Sequence, residues 1–302
     1  MISVSHLTKR YGSVTAVDDV TFTVGQGKVT GFLGPNGAGK STTMGMMLGL
    51  DAPTAGTATI DGVAYRDLEH PLRMVGALLD PGALDPKRTS VGHLRWLAAS
   101  NRIPSAWVDH VLGMVGLENV ANRRAGSLSL GMRQRLGLAA ALLGDPHTLI
   151  LDEPFNGLDP DGILWLRGLI RNFADDGRTV FLSSHLMAEM ALTADHLVVI
   201  TQGRLVADVP ASELIQRHTR PGAVVRALQD QSTVASILTA AGGNVIPNVD
   251  GSLTVDGLDA VTVGRIAAER GIALTQLTPS ANSLEDAFLD LTRTPDLETS
   301  DT

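Results

Sequence analysis

The sequence contains no cysteine and no long apolar run, and both absences limit what the protein can be. Without cysteine, disulfides, thiolate metal sites and cysteine nucleophiles are all excluded. The longest apolar stretches, Leu136–Leu143 and Leu197–Ile200, fall well short of the roughly 20 residues that cross a bilayer. The first residues also lack the basic start and apolar block of a signal peptide. We therefore expect a chain without a membrane span of its own.

Runs of lysine and arginine are absent too, and the formal net charge is −8. Because proteins that bind nucleic acid usually present a basic surface to the phosphates, this balance weighs against a nucleic-acid partner. What the chain does have is length and apolar content. Its 302 residues, 44% of them hydrophobic, are enough for a sizeable core and suggest about two domains.

The segment Gly34-Pro35-Asn36-Gly37-Ala38-Gly39-Lys40-Ser41 matches the pattern G-x-x-x-x-G-K-[ST] at every defined position. It follows an apolar run, Val29–Leu33, that is typical of a buried strand, and it precedes a helix-like stretch that begins at Thr42. In this context the glycines let backbone N–H groups turn toward phosphate oxygens at a helix N-terminus. Lys40 is placed to reach the β- and γ-phosphates, and the Ser41 hydroxyl to ligate Mg²⁺. The sequence therefore predicts binding of a nucleoside triphosphate.

Two carboxylates follow a second apolar run. Leu149–Leu151 reads as a buried strand, and Asp152 and Glu153 come directly after it. The end of such a strand lies at the carboxyl edge of the sheet, beside the phosphate-binding loop. Asp152 can hold Mg²⁺ through water, and Glu153 can polarise an attacking water molecule.

A third element, Leu128–Arg135, stands at the start of another helix-like stretch. Ser129 is a suitable N-cap, and Gly131 permits close approach of the backbone to a ligand. A second phosphate-recognising helix N-terminus is surplus to the needs of one nucleotide, which suggests that it serves another. An ordinary capped amphipathic helix would show the same local pattern, and the residues alone leave that alternative open.

Taken together, these motifs resemble the ATP-binding subunit of an ABC transporter, over residues 1 to about 218. Residues 34–41 match the Walker A motif, 128–134 the signature, and 149–153 the Walker B strand. Asn156–Pro160 resembles the D-loop, His185 the switch histidine, and Tyr11 the aromatic residue that stacks on adenine.

The resemblance implies ATP and Mg²⁺ as ligands, with two such domains closing head to tail over two ATP molecules. The signature of one domain then caps the γ-phosphate held by the other. It implies Glu153 and His185 as catalytic residues and Ser41 and Asp152 as metal ligands. The implied nucleotide contacts are Tyr11, Gly34, Pro35, Asn36, Gly37, Ala38, Gly39, Lys40, Ser41, Thr42, Ser129, Gly131, Gln134 and Asp159.

Two positions depart from the family pattern. After the strand-like Met74–Leu79, the family usually has a glutamine that contacts Mg²⁺ and water and transmits closure to the membrane partner. Here that position aligns with Asp80, which we expect to be a third metal residue, although a carboxylate is shorter and cannot donate a hydrogen bond at neutral pH. Leu130 also stands in the signature where glycine is common.

Strand-like and helix-like segments alternate up to about residue 218, which predicts an α/β fold: a P-loop NTPase domain with a helical subdomain at 90–143. Short apolar runs at Thr148–Leu151 and Thr179–Leu182 predict buried parallel strands. Leu197–Ile200 and Arg204–Ala207 predict a hairpin, and Ala58–Ile60 with its Asp-Gly turn predicts part of another.

The pattern changes after residue 218. The expected order of elements is βαββαβ, that of a ferredoxin-like unit, followed by a helix from Ser283 and a frayed end at 295–302. We therefore predict two domains, an ABC ATPase domain at 1–218 and an accessory α+β domain at 219–302. Pro279–Phe288 is similar to the ending of ATPase subunits in the drug- and bacitracin-export branch.

The function expected from this resemblance is ATP hydrolysis that powers a separate transmembrane exporter of a drug, antibiotic or lipophilic compound. The expected partners are a transmembrane permease and a second copy of the ATPase domain, at the cytoplasmic face of the cell membrane, with no nucleic acid. A soluble ABC ATPase acting on nucleic acid or ribosomes is the alternative. Such proteins tend to have two cassettes in one chain, a coiled-coil insertion or a basic surface, and this sequence has none of them.

Overall fold

The computed structural model describes the backbone of residues 1–218, 222–280, 284 and 288. The chain divides into two compact units, Met1–Ala211 and Ser212–Thr302. This division falls a few residues before the domain boundary expected from the sequence, which stays a prediction. The elements of the first unit are β1 (Ile2–Tyr11), β2 (Val14–Val24), β3 (Val29–Leu33), α1 (Lys40–Met47), β4 (Ala55–Ile60), α2 (Pro71–Met74), β5 (Val75–Leu78), α3 (Ser90–Ser100), α4 (Ala106–Met114), α5 (Leu130–Leu142), β6 (Thr148–Leu151), α6 (Pro160–Asp175), β7 (Thr179–Ser183), α7 (Met187–Thr193), β8 (His196–Thr201) and β9 (Arg204–Pro210).

A six-stranded sheet in the order β5-β6-β7-β3-β8-β9 forms the centre of the first unit. The first five strands are parallel, and β9 returns antiparallel to β8 as the predicted hairpin. Every residue of β3, β6 and β7 is buried, as expected for parallel strands covered on both faces. Because these three strands are neighbours, the loops that follow them meet at one edge of the sheet.

A smaller antiparallel sheet, in the order β2-β1-β4, packs on the central one. Ala58–Ile60 lies in an antiparallel strand as predicted. Its partner, however, is β1 near the start of the chain and not a strand that follows the Asp-Gly turn, so the predicted hairpin was wrong. The Asp-Gly turn after it closes only a single bridge between Ile60 and Val63. A short turn signal marks where a strand ends but does not select its partner.

Three phenylalanines join the two sheets. Phe22 on β2, Phe32 on β3 and Phe181 on β7 have ring centroids 5.1 to 5.7 Å apart. All three are at most 3% exposed, as are Met44 and Met47 of α1 in the same cluster. Burial of such large side chains stabilises the fold by about 1.5–3 kcal/mol each. This core fixes β3 and α1, and therefore the loop between them.

Helices α3, α4 and α5 make up the predicted helical region at 90–143. The last of these packs closely on β5, because both elements have glycine at the contact. A Cβ added to Gly76 would lie 2.1 Å from the Ala141 carbonyl oxygen, and one added to Gly137 would lie 2.6 Å from Leu78 Cδ1. The second half of α5 is thereby held against β5, the strand at one edge of the central sheet.

The second unit has the predicted βαββαβ order. Its sheet is fully antiparallel, in the order β11-β12-β10-β13, which is the arrangement of the split βαβ motif. Of the expected closing helix only Leu284 and Phe288 are described, both helical and buried, and the rest of it and residues 295–302 lie outside the described residues. None of the described helices of the chain is long and apolar enough to cross a membrane. Helix α8 (Ala211–His218) begins at the boundary between the units. The elements that follow it in the second unit are β10 (Gly222–Ala227), α9 (Gln231–Ala240), β11 (Asn244–Pro247), β12 (Leu253–Asp256), α10 (Ala260–Glu269) and β13 (Leu274–Ser280).

Candidate active site

The loop between β3 and α1 is shaped by two glycines that press against neighbouring strands. A Cβ at Gly34 would lie 2.4 Å from the Ile200 carbonyl oxygen, and one at Gly39 would lie 2.5 Å from that of Ala16. Gly39 is also the N-cap of α1 with φ 103°, a conformation that side chains rarely tolerate. Among the described residues none caps α1 with a side chain. The first amides of this helix therefore face a cradle suited to an anion.

Lys40 supplies a cation to that cradle. Its side chain is buried, and Nζ donates to the carbonyl oxygens of Gly34 at 2.6 Å and Pro35 at 3.3 Å. Two neutral carbonyls compensate only part of the cost of burying an ammonium group. An anion in the cradle would complete its solvation, so the position favours phosphate.

Oxygen ligands stand beside the lysine. The Ser41 hydroxyl donates to Asp152 Oδ2 at 2.5 Å, and the Ser183 hydroxyl donates to Asp152 Oδ1. Asp152 is buried at the end of β6. Hydroxyl and carboxylate oxygens are what Mg²⁺ takes from proteins, usually one or two of them together with phosphate oxygens and water. The pair Ser41 and Asp152 fits that need.

Glu153 is held by contacts with two residues at the end of β7 and just after it, Ser183 and His185. Its backbone has φ 50°, and its N–H donates to the Ser183 hydroxyl at 2.9 Å. Its Oε2 accepts from the backbone N–H of His185 at 3.1 Å and lies 2.7 Å from Nδ1 of the same histidine. His185 thus fixes the carboxylate of Glu153 beside the P-loop, where a general base for a water molecule is required.

Ser183 is the residue that sequence reasoning missed. It bonds both Asp152 and Glu153 and is fully buried at the end of β7. The sequence offered one signal for it, since Ser183 stands two residues before the predicted catalytic residue His185. Recognising it requires knowing that β6 and β7 are adjacent, which is a property of the folded sheet.

Most of the loop between β3 and α1, together with Asp152 and Glu153, lines one cavity of about 220 Å³. The structure thus brings together the predicted phosphate-binding and metal residues of the first and second motifs. The lining residues are Ala16, Pro35, Asn36, Gly37, Ala38, Gly39, Lys40, Ser41, Thr42, Asp152 and Glu153.

Tyr11 lies close to this cavity without lining it. Its hydroxyl donates to Asp51 at 2.5 Å, and Lys9 Nζ lies 4.8 Å from the ring centroid. The bond to Asp51 raises the pKa of Tyr11, and a weaker hydrogen bond with Thr42 opposes that shift. The same bond lowers the pKa of Asp51. Tyr11 as a whole is 47% exposed, and it stands next to the start of α1, where it can meet a planar group.

A second cavity, of about 510 Å³, surrounds the start of α5. Ser129 caps this helix by accepting from the Met132 N–H at 3.2 Å, and Gly131 packs on the 157–159 turn. Asp159 lies in the same cavity and caps α6 through the Gly162 N–H at 2.9 Å. The structure therefore groups three predicted nucleotide contacts, Ser129, Gly131 and Asp159, apart from the P-loop cavity.

Among the predicted residues that line neither cavity, Asp80 and Gln134 are held by contacts elsewhere. Asp80 is exposed, and its Oδ1 accepts from the Gly82 N–H at 2.6 Å in its own turn. Gln134 is fully buried, and its Nε2 donates to the Pro154 carbonyl oxygen at 2.8 Å. The geometry does not favour the metal role expected of Asp80 or the nucleotide contact expected of Gln134, which stay predictions.

Comparison with known proteins agrees with this geometry. The family model for ABC transporters matches residues 17–156, and a model for a domain of unknown function matches residues 221–285. The bacitracin transport ATP-binding protein BcrA of Bacillus licheniformis is 36% identical, over 96% of this chain and 97% of its own length. The lantibiotic transport ATP-binding protein SrtF of Streptococcus pyogenes is 35% identical, over 69% of this chain and 90% of its own.

The solved dimeric structure of a bacterial ABC transporter cassette is also similar, at 25% identity with a TM-score of 0.64. The similarity extends over 70% of this chain and 99% of the cassette chain. The protein belongs to the ATP-binding subunits of ABC transporters. It is an ABC-type ATPase, and the fold class expected from the sequence is confirmed.

Proposed function

We propose that this chain is the ATP-hydrolysing subunit of an exporter whose cargo is a peptide antibiotic or a similar lipophilic compound. The observation that carries the cargo class is the extent of the similarity to the bacitracin transport protein, which includes the second unit as well as the ATPase unit. The cassette alone is shared by transporters of many kinds. Similarity along nearly the whole chain favours a shared task.

The residues of the first cavity supply the chemistry in this proposal. The α1 amides and Lys40 hold the β- and γ-phosphates, and Tyr11 stacks on the adenine ring. Ser41 and Asp152 hold Mg²⁺, which supplies positive charge to the phosphate oxygens when bound. Glu153 takes the proton from the attacking water, while His185 keeps that carboxylate in place.

The second cavity provides the reason for a dimer. Ser129, Gly131 and Asp159 line one recess, yet the lysine and the Ser41–Asp152 pair stand in the other cavity. A second copy related by a two-fold axis would place each recess over the other copy's P-loop. We propose that homodimer, bound to a transmembrane permease at the cytoplasmic face of the membrane.

The Glu153→Gln variant tests the ATPase part of the proposal. Glutamine keeps the size and the hydrogen-bond acceptor but cannot take a proton, so hydrolysis should fall by about 10²–10⁴-fold. Binding of ATP should persist, since Lys40, Ser41 and Asp152 are untouched. Because turnover reopens the dimer, the variant should accumulate as an ATP-dependent dimer on a sizing column. If the Glu153→Gln variant hydrolysed ATP nearly as fast as the parent, Glu153 would not be the general base.

Isolation of the partner tests the exporter part. Tagged protein purified from detergent-solubilised membranes should bring down a protein with several transmembrane helices. Cells that lack this chain should become more sensitive to bacitracin or to a related peptide antibiotic. Recovery with ribosomes or DNA and no membrane protein would support the soluble alternative instead.

A further inference from the structure

Gln134 links the start of α5 to the turn that carries the acidic residue Glu153. It lies one turn into the helix and is fully buried. Its Nε2 donates to the carbonyl oxygen of Pro154 at 2.8 Å, and Pro154 directly follows Glu153. On its other side, the same turn is held by the bond from the Glu153 N–H to the Ser183 hydroxyl.

The start of α5 touches this loop at two further points. A Cβ added to Gly131 would lie 2.8 Å from the Gly157 carbonyl oxygen. A Cβ added to Gly157 would lie 2.5 Å from the side chain of Leu130. These contacts leave no gap between the loop and the helix, so a displacement of one must move the other.

Packing alone does not account for a glutamine at this position. Among the described residues, the Oε1 atom of Gln134 is buried without a hydrogen-bond partner. An unmade hydrogen bond of this kind costs stability, whereas methionine or leucine would fill a similar volume without that cost. What glutamine provides and these residues lack is the bond to Pro154.

We infer that Gln134 is a positioning residue, which couples the Glu153 turn to the Ser129–Gly131 end of α5 within one chain. A shift of Glu153 on binding nucleotide is thereby passed to the surface that meets the second copy. This inference rests on the proposed ATPase function. It assigns Gln134 a role through the protein backbone and no contact with nucleotide.

The Gln134→Met variant tests the inference, because it keeps the volume and removes the donor. We expect kcat to fall about tenfold while KM for ATP changes less than about twofold. In the Glu153→Gln background, the ATP-dependent dimer should dissociate at about tenfold higher protein concentration, with unchanged ATP binding by the monomer. Thr148→Val is the matched control. It removes a buried hydroxyl that has no partner among the described residues and lies on β6, away from the Pro154 turn.

The Gln134→Glu variant gives a readout that a structural role would not produce. A buried carboxyl group has a raised pKa, and its neutral form can donate to the Pro154 carbonyl oxygen as the amide does. The activity of Gln134→Glu relative to Gln134→Met should therefore rise as the pH falls from about 8 to about 6. This variant also keeps the test decisive if Gln134→Met does not fold.

Three results would overturn the inference: parental kcat and dimer stability in Gln134→Met, an equal loss in Thr148→Val, or the absence of any pH-dependent difference between the two Gln134 variants. Failure of the proposed function would look different. In that case the parent itself would show no ATP hydrolysis and no ATP-dependent dimer, whatever residue stands at 134.

Discussion

Two helix starts in the first unit look alike in sequence and differ in structure. Helix α1 begins after Gly39, without a side-chain cap among the described residues, beside the buried Lys40 and the Ser41 hydroxyl. Helix α5 begins with Ser129, whose own hydroxyl accepts from the Met132 N–H. Both have a glycine at the point where a ligand or a neighbour approaches most closely.

The difference lies in what surrounds each helix start. The α1 cavity contains a lysine, a serine hydroxyl and two carboxylates, which is enough to hold a phosphate chain and a metal ion. In the α5 cavity the carboxylate of Asp159 already caps α6, and the cation is Arg135. We therefore propose that the α1 site binds nucleotide by itself, whereas the α5 site completes a site supplied from elsewhere. We take this asymmetry as the physical basis for the proposed two-fold dimer.

The comparison predicts its largest effect at α1. Lys40→Met removes the buried ammonium group, so kcat/KM for ATP should fall by at least about 100-fold. Binding of ATP to the monomer, measured by calorimetry, should weaken in parallel. Lys28→Met is the control, since Lys28 is exposed on the approach to β3. If the Lys40 variant hydrolysed ATP at the rate of the parent, the phosphates would have to bind at another site.

A change at α5 should separate hydrolysis from binding. In Gly131→Ala the new Cβ would stand 2.8 Å from the Gly157 carbonyl oxygen, so the helix start must shift. We expect hydrolysis to fall by about tenfold or more, with ATP binding by the monomer unchanged. Gly168→Ala on α6 is the matched control, because its Cβ would meet open space. If the Gly131 variant lost ATP binding as strongly as hydrolysis, the α5 site would itself take part in binding ATP to the monomer, and the two sites would not be separate.

Mixing the two defective variants sharpens the comparison further. If each composite site uses α1 of one copy and α5 of the other, a heterodimer of Lys40→Met and Gly131→Ala contains one intact site. Random mixing then gives roughly a quarter of the parental activity, well above the mean of the separate variants. Activity equal to that mean would show that each chain works alone.

Local patterns were enough to predict the elements that position the α1 site. The expected bounds of the strand at Val29–Leu33 and of the one at Thr148–Leu151 agree with the structure. Buried parallel strands are continuous apolar runs that end at turn residues, so they can be recognised without knowing their neighbours. The P-loop glycines are recognisable for a similar reason, since their spacing reflects local backbone geometry.

What the sequence did not predict depends on contacts between distant segments. Strand β1 (Ile2–Tyr11) was not anticipated, because its partners β2 and β4 determine it and its alternation is broken by bulges. Burial of Gln134 and the bonds of Ser183 follow from the packing of α5 and β7 against β6. A polar residue with a buried partner looks, in one sequence, like a polar residue on the surface.

The smallest expected effect concerns Asp80, which the sequence placed beside the metal and the structure places in a turn. Its Oδ1 accepts from the Gly82 N–H at 2.6 Å, and an asparagine could accept the same bond. We therefore expect Asp80→Asn to hydrolyse ATP like the parent, and Asp80→Ala to lose no more than about threefold as the turn loosens. The Mg²⁺ concentration at half-maximal activity should be the same in all three proteins. A several-fold increase in that concentration in both variants would instead show that the carboxylate acts on the metal. In that case the turn must rearrange on binding nucleotide, and Asp80 would join Ser41 and Asp152 at the α1 site.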